Sequence, residues 1–122
     1  MIDHIAIGVE DLAASERFFV RALAPLGMRV VMTAPKAVGL GRDGIPLFWL
    51  DAKLVQAPPL HLAFAAENHA QVDAFYREAL AAGGSDNGAP GLRTHYHPDY
   101  YAAFVRCPAG HNVEAVCRRR TG

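Results

Sequence analysis

An internal repeat is the feature that most constrains the fold of this chain. Residues 4–27 align without a gap with residues 61–84. The identical pairs include His4/His61, Ala6/Ala63, Glu10/Glu67, Phe18/Phe75, Ala22/Ala79, Leu23/Leu80, Ala24/Ala81 and Gly27/Gly84. Solenoids need three or more stacked repeats, so two copies of this length predict paired modules instead. We expect one domain over residues 1–122, with modules of about 1–56 and 57–122.

Each half carries the same local signals in the same order. Residues 2–9 form a short apolar run that is typical of a β-strand. Asp11 and Asn68 follow the first run of their halves, where either side chain can cap a helix. Further extended runs are 28–34, 37–41 and 46–50 in the first half, and 92–97, 100–106 and 112–117 in the second. The expected fold is therefore α+β, with two βαβββ modules joined by a linker at 51–59.

Composition and the N-terminal sequence indicate which binding partners and which cellular compartment to expect. Lys+Arg and Asp+Glu number 12 each, so there is no basic excess of the kind that nucleic-acid binding requires. No uncharged stretch approaches the length of a membrane span, and the N-terminus shows no secretory signal pattern. The two cysteines, Cys107 and Cys117, lack zinc-ligand spacing. We expect a cytoplasmic protein with reduced thiols.

The repeated histidines are expected to lie on an open face of the sheet. Side chains alternate along a strand, so His4 points away from Ile5. The isoleucine side suits a covering helix, because helices must bury one face of a sheet. The same pattern holds for His61 and Leu62. The pseudo-twofold relation of the modules is expected to bring His4 and His61 near the axis.

A carboxylate in the last strand completes a candidate metal site. Glu114 alternates with Val113, so it is expected on the same open face. Burial of a carboxylate is costly unless it is paired, hydrogen-bonded or bound to a cation. Two imidazoles and one carboxylate form a set that suits Fe²⁺, Mn²⁺ and similar ions. The alternative is a metal-free protein in which His4 and His61 hydrogen-bond across the pseudo-axis.

These features together resemble the vicinal oxygen chelate superfamily. The resemblance rests on the βαβββ duplication, on a histidine at the first strand of each half, and on the motif Pro108-Ala109-Gly110-His111-Asn112-Val113-Glu114. That superfamily includes glyoxalase I, extradiol dioxygenases, fosfomycin-resistance transferases and bleomycin-resistance proteins. The resemblance implies a cupped, mostly antiparallel mixed sheet. It also implies a divalent metal (Fe, Mn, Ni or Zn) at His4, His61 and Glu114, which chelates vicinal oxygens of a small-molecule substrate.

The first half departs from the pattern of glyoxalase I, which usually has a fourth metal ligand there. Counting from Gly44, as Glu114 counts from Gly110, places Phe48 at that position, with Trp49 beside it. An aromatic residue at this place argues against a four-ligand site. The resemblance also implies a homodimer, in which His4 can join His61 and Glu114 of a second chain.

The segment from Arg93 to Tyr101 is a candidate substrate pocket, because it is dense in groups that can bind an anionic or phenolic molecule. Arg93, Tyr96 and Tyr101 are its candidate contacts. His95 and His97, on one face of the expected strand, are candidates for proton transfer together with Glu114. The alternative is a solvated strand-turn-strand. Phe48 and Trp49 are either a pocket wall or plain core, and His69 and His111 are expected to be exposed.

Two functions of different classes fit these residues. The first is a divalent-metal-dependent enzyme of the lyase, dioxygenase or transferase type, in which the metal polarises an oxygen of a small substrate. The second is a metal-free small-molecule binding or resistance protein of the bleomycin-resistance kind. Binding-only relatives occur in the superfamily that the chain resembles, so fold alone does not separate the two.

Overall fold

The computed structural model describes residues 1–120 and confirms the α+β fold with two βαβββ halves. The elements are β1 (Ile5–Gly8), α1 (Leu12–Leu23), a 3₁₀ turn (Ala24–Leu26), β2 (Arg29–Ala34), β3 (Ala37–Arg42), β4 (Ile45–Asp51), β5 (His61–Ala65), α2 (His69–Ala81), β6 (Ser85–Leu92), β7 (Tyr101–Arg106) and β8 (Asn112–Cys117). In this part of the chain, neither helix has the length and hydrophobicity that a membrane crossing requires.

The strands form two separate four-stranded sheets, one from each half. The first has the order β1-β4-β3-β2 and the second the order β5-β8-β7-β6. In both, the first strand pairs parallel to the last, and the other pairs are antiparallel. The matching topology confirms that the sequence repeat is a structural duplication.

The predicted helix caps are confirmed. Asp11 precedes α1, and its side chain accepts a hydrogen bond from the Ala14 backbone N–H at 3.0 Å. Asn68 precedes α2 and accepts from the Gln71 N–H at 2.8 Å. Each contact satisfies an N–H group that the first turn of a helix leaves without a partner. The two helices therefore begin at equivalent places for the same reason.

The first strand after α2 was predicted wrongly. Residues 92–97 were expected to be extended. Instead, β6 ends at Leu92 and contains the Gly88-Ala89-Pro90-Gly91 stretch. Its pairing with β7 shifts register twice, between Asp86 and Gly88 and between Gly88 and Gly91. Glycine and proline are tolerated there because β6 is an edge strand with bulges.

The helices pack against each other across the pseudo-twofold relation of the halves. Arg21 of α1 and Glu78 of α2 occupy equivalent repeat positions, and their side chains form an ion pair with Nε and Oε1 2.8 Å apart. The close packing extends to Gly84, where an added Cβ would lie 2.6 Å from Cε1 of Phe18. The two halves thus meet through equivalent parts of the repeat.

A single hydrophobic core joins the helices to both sheets. Phe48 of β4 makes edge-to-face contacts with Phe19 of α1 and Phe64 of β5, at centroid distances of 5.0 and 5.3 Å. Ile7 and Leu50 of the first sheet, which pair with each other, are buried in the same core. Because the helix-facing sides of both sheets supply this core, their opposite sides point away from it. We call these opposite sides the open faces.

His111 also ties the halves together, which corrects the expectation that it is exposed. The ring is buried. Its Nδ1 accepts from the Leu60 N–H at 2.9 Å, so Nε2 carries the proton and donates to the Gly8 carbonyl at 3.2 Å. A histidine in a turn motif is therefore a buried link from β8 to the end of β1.

The aromatic contact between the halves generates the first prediction. We expect Phe48→Ala to lower the free energy of unfolding by about 3–5 kcal/mol, because it leaves a cavity in the shared core. Leu47→Ala is the control on the same strand, since Leu47 is 37% exposed and its loss should cost far less. Urea unfolding measures both. Equal losses for the two variants would contradict the role given to Phe48.

Candidate functional site

His61 and Glu114 form a hydrogen-bonded pair on the open face of the second sheet. Nε2 of His61 lies 2.8 Å from Oε1 of Glu114. The residues come together because β5 and β8 pair in parallel, with Ala63 beside Glu114 and His61 beside Asn112. The Glu114 side chain is 2% exposed, whereas the His61 side chain is 55% exposed. A buried carboxylate thus meets an imidazole that remains accessible from outside.

Tyr100 holds the second oxygen of the same carboxylate. Its hydroxyl donates to Oε2 of Glu114, so both carboxylate oxygens accept a hydrogen bond. Burial, followed by the hydrogen bond to Glu114, raises the pKa of Tyr100 to about 12. At neutral pH the phenol therefore remains a protonated donor. Tyr101 was a predicted contact and Tyr100 was not, although neighbouring side chains of an extended segment point to opposite faces.

Aromatic rings surround this carboxylate. Phe104 of β7 stands opposite Glu114, and its ring centroid lies 6.2 Å from that of His61. Tyr96 packs edge-on against Tyr100, with centroids 5.1 Å apart. The guanidinium of Arg118 lies 4.9 Å from the Tyr100 ring centroid. The open face therefore combines a polar pair with aromatic surface and a nearby cation, which suits a small polar ligand.

His4 is not part of this cluster within one chain. Its side chain is 58% exposed, and its Nδ1 lies 2.7 Å from Oδ1 of Asp3. No group of three His, Cys, Asp or Glu side chains that could hold a metal occurs among residues 1–120. Of the three predicted ligands, the structure brings together His61 and Glu114 and leaves His4 apart.

The register of the first sheet identifies the counterpart of Glu114. Ala6 pairs with Trp49, as its repeat equivalent Ala63 pairs with Glu114. Trp49, and not Phe48, therefore occupies the equivalent position. Counting from the turn failed because the β3–β4 register shifts and leaves Leu47 without a partner.

Trp49 and Phe48 consequently have different surroundings. Trp49 lies across Gly39 on the open face, where an added Cβ at Gly39 would be 3.1 Å from the indole ring. Phe48 is buried in the core, which was the other interpretation of this residue. Of the two candidate wall residues, only Trp49 shares the face on which Ala6 lies.

Tyr101 lies on the helix side of the second sheet. Its hydroxyl donates to Oδ1 of Asp73 on α2 at 2.6 Å, and its ring stacks on His69 with centroids 3.9 Å apart. The hydrogen bond to Asp73, followed by burial, raises the pKa of Tyr101 to about 12. The structure therefore separates Tyr101 from the His61–Glu114 pair.

His95 and His97 lie in the turn that leads to Tyr100, so the strand alternation expected for them does not apply. The His95 ring contacts Tyr96 with centroids 4.1 Å apart. Nδ1 of His97 accepts from the Asp99 N–H at 3.1 Å. Neither imidazole is hydrogen-bonded to Glu114, whose partners in the described chain are His61 and Tyr100.

A cavity of about 380 Å³ lies away from this cluster. It is bounded by the start of α1, residues 52–57 and the β7–β8 turn. Neither His61 nor Glu114 lines it. The candidate site therefore lies outside this cavity, on the open face of the second sheet.

The geometry of the pair fits two neighbouring ligands of a divalent ion. Two ligand atoms at about 2.1 Å from a metal, at right angles, lie about 3 Å apart. Nε2 of His61 and Oε1 of Glu114 are separated by 2.8 Å. The described residues of one chain therefore bring two of the three predicted ligands to a separation that a shared ion would allow.

The fold defines a class of proteins with paired βαβββ modules. A family model described as the Glyoxalase/Bleomycin resistance protein/Dioxygenase superfamily matches residues 1–115. The chain belongs to this superfamily. Comparison with curated proteins gives no match.

Solved structures of the superfamily share the fold. A glyoxalase/bleomycin resistance protein from Albidiferax ferrireducens T118 is 28% identical, with a TM-score of 0.80 over 95% of this chain and 97% of the other. A glyoxalase/bleomycin resistance protein/dioxygenase family enzyme from Burkholderia phytofirmans PsJN is 19% identical, with a TM-score of 0.73 over 97% and 98% of the chains. A glyoxalase-related enzyme from Fulvimarina pelagi is also 19% identical, with a TM-score of 0.73 over 96% and 87%.

The helix-side position of Tyr101 generates the second prediction. We expect Asp73→Asn to lower the pKa of Tyr101 from about 12 towards 10, because it removes the charge that holds the phenol proton. Since the folded pKa is raised, this contact stabilises the fold below about pH 10 and is lost as the pH rises through about 12. Absorbance of tyrosinate at alkaline pH measures the shift. Asp43→Asn should leave the titration unchanged; an unshifted Asp73→Asn curve would contradict the contact.

Proposed function

We propose that this protein is a divalent-metal-dependent enzyme that acts on a small molecule with neighbouring oxygens. The observation that carries the proposal is the His61–Glu114 pair, whose ligand atoms are 2.8 Å apart on the open face of the second sheet. The imidazole and carboxylate set suits Mn, Fe, Ni or Zn. The reaction class is that of a lyase, dioxygenase or transferase of the superfamily.

We further propose that the complete site forms between two chains. The open faces of the two sheets point away from one shared core, so one chain cannot close a cup around a ligand by itself. The open face of the first sheet is largely apolar, with Met32, Gly39 and Trp49 in one register row. Facing the His61–Glu114 surface of a partner, it would supply an apolar wall and bring His4 as the third ligand.

The roles of the residues follow from their contacts. A divalent ion held by His61, Glu114 and His4 of a second chain would supply Lewis acidity to the substrate oxygens. Tyr100 orients the carboxylate by donating to Oε2, so Oε1, which here accepts from His61, would be the oxygen that binds the ion. Phe104 borders the substrate, and Trp49 of the second chain covers it. Glu114, or a histidine of the 95–97 turn, moves the substrate proton.

A metal-free binding protein is the second candidate, and one observation favours it. Both oxygens of Glu114 already accept hydrogen bonds from His61 and Tyr100, so the buried carboxylate is satisfied without a cation. In that case the aromatic rings around the pair would bind a small molecule by stacking and hydrogen bonding, without chemistry.

A cytoplasmic location is part of the proposal. Cys107 and Cys117 are both free and buried. Burial raises the pKa of the Cys107 thiol, which makes it less reactive. Two unpaired thiols in the core are typical of proteins that fold in a reducing compartment.

Metal loading tests the first candidate. Purified without chelators and incubated with Mn²⁺, Fe²⁺, Ni²⁺ or Zn²⁺, the wild-type protein should retain about one ion per chain by elemental analysis after dialysis. Glu114→Gln should lose affinity by more than the roughly 10–100-fold typical of an outer-sphere change. Glu10→Gln, at an exposed carboxylate, is the matched control. Wild-type protein that retains none of the four ions would exclude the enzyme as proposed and favour the metal-free binder.

A mixing experiment tests the shared site. Separately, His4→Ala and Glu114→Ala should both lose metal. When they are unfolded together in equal amounts and refolded, half of the dimers pair one variant with the other, and each such dimer has one intact site of two. Metal content should therefore return to about one quarter of the wild-type value. No recovery, with both variants dimeric, would place the three ligands within one chain.

A further inference from the structure

Arg93 lies over the ring of Phe104, next to the candidate site. Its guanidinium carbon is 5.3 Å from the centroid of the Phe104 ring. Nη1 donates to the carbonyl of Gly91 and Nη2 to the carbonyl of Ala89, both at 2.8 Å. The side chain is thus fixed by an aromatic ring and two backbone carbonyls, and its remaining N–H groups are available to a ligand.

Two glycines of β6 make room for this guanidinium. A Cβ at Gly91 would lie 3.2 Å from Nη1, and a Cβ at Gly88 would lie 3.2 Å from Nη2 and 2.9 Å from Cδ1 of Phe104. The same glycines break the regular pairing of β6 with β7. The irregular edge strand β6 therefore has no side chains at Gly88 and Gly91, and the Arg93 guanidinium packs there beside Phe104.

The charge of Arg93 has no compensating carboxylate. Within residues 1–120, no Asp or Glu oxygen lies within ion-pair distance of the Arg93 or the Arg118 guanidinium. Glu114, the buried acid of this face, is engaged by His61 and Tyr100. Arg93 and Arg118 thus lie at aromatic rings of this face, each without a carboxylate partner in the described chain.

We propose that the ligand of this face carries an oxyanion group, a carboxylate or a phosphate, which binds to Arg93. A planar guanidinium offers paired N–H donors that match such groups and form charge-assisted hydrogen bonds. The ring of Phe104 contacts both Arg93 and His61, so one small molecule can reach the cation with its anionic end and the His61–Glu114 pair with another oxygen. The second half of this statement rests on the proposed function; the anion contact itself needs no metal.

Titration of metal-free protein tests the contact. Isotope-labelled protein is stripped on a chelating resin and titrated with inorganic phosphate and, separately, with acetate, while amide chemical shifts are followed. Shifts should concentrate at residues 88–93 and at Phe104. Arg93→Gln should weaken anion binding by about tenfold or more. The affinity of Arg93→Lys should lie between those of the wild type and Arg93→Gln, since lysine keeps the positive charge but lacks the paired N–H donors of the guanidinium. Binding of phosphate or of acetate identifies the class of anion.

The controls separate this contact from general surface charge. Arg17→Gln removes the same charge from an exposed position of α1 and should bind like wild type. Gly91→Ala keeps Arg93 but displaces its Nη1, so this variant should also weaken anion binding. It replaces Arg93→Gln as the test variant if Arg93→Gln does not fold. Equal affinity for Arg93→Gln and Arg17→Gln, or saturation by neither anion, would overturn the proposal. Because no metal is present, this result is independent of the metal-loading outcome.

Discussion

The packing of the two helices against each other determines how the rest of the molecule is arranged. Arg21 and Glu78 occupy equivalent positions of the repeat, and their ion pair marks where the halves meet. Surface ion pairs contribute little stability, so the association depends on the aromatic core around Phe19, Phe48 and Phe64. Once the helix sides of both sheets share that core, both open faces must point outward. The duplicated chain therefore presents two separate open faces.

The two open faces differ in their side chains, although the first and last strands of each half pair in the same register. Trp49 and Glu114 occupy equivalent positions beside Ala6 and Ala63. A buried carboxylate requires hydrogen-bond partners, and the second half supplies them with His61 and Tyr100. The first half has an indole at the matching place, which needs only apolar surroundings and room over a glycine. One open face therefore presents a polar pair and the other a largely apolar surface, which is the difference on which the proposed interface between two copies rests.

Much of this could be predicted from the sequence, because the signals were local or repeated. The duplication, the helix caps and the placement of Glu114 on the His61 face follow from periodicity and alternation. The parts that could not be predicted depend on irregular pairing. A bulge leaves Leu47 unpaired and shifts the counterpart of Glu114 by one residue, and β6 continues through glycine and proline because it is an edge. His111 is buried because two backbone groups distant in sequence, at Gly8 and Leu60, satisfy its ring.

The surroundings of Glu114 are compatible both with a bound metal and with none, so the residues of the second half of the chain do not distinguish the two candidate functions. Without a cation, His61 and Tyr100 each donate to one carboxylate oxygen, and the burial is compensated. With a cation, His61 would direct Nε2 at the ion, and Tyr100 would still hold Oε2 in place. The carboxylate keeps its orientation in both cases because Tyr100 does not depend on His61. What distinguishes the cases is a third donor, and under the proposed shared site that donor is His4 of a second chain.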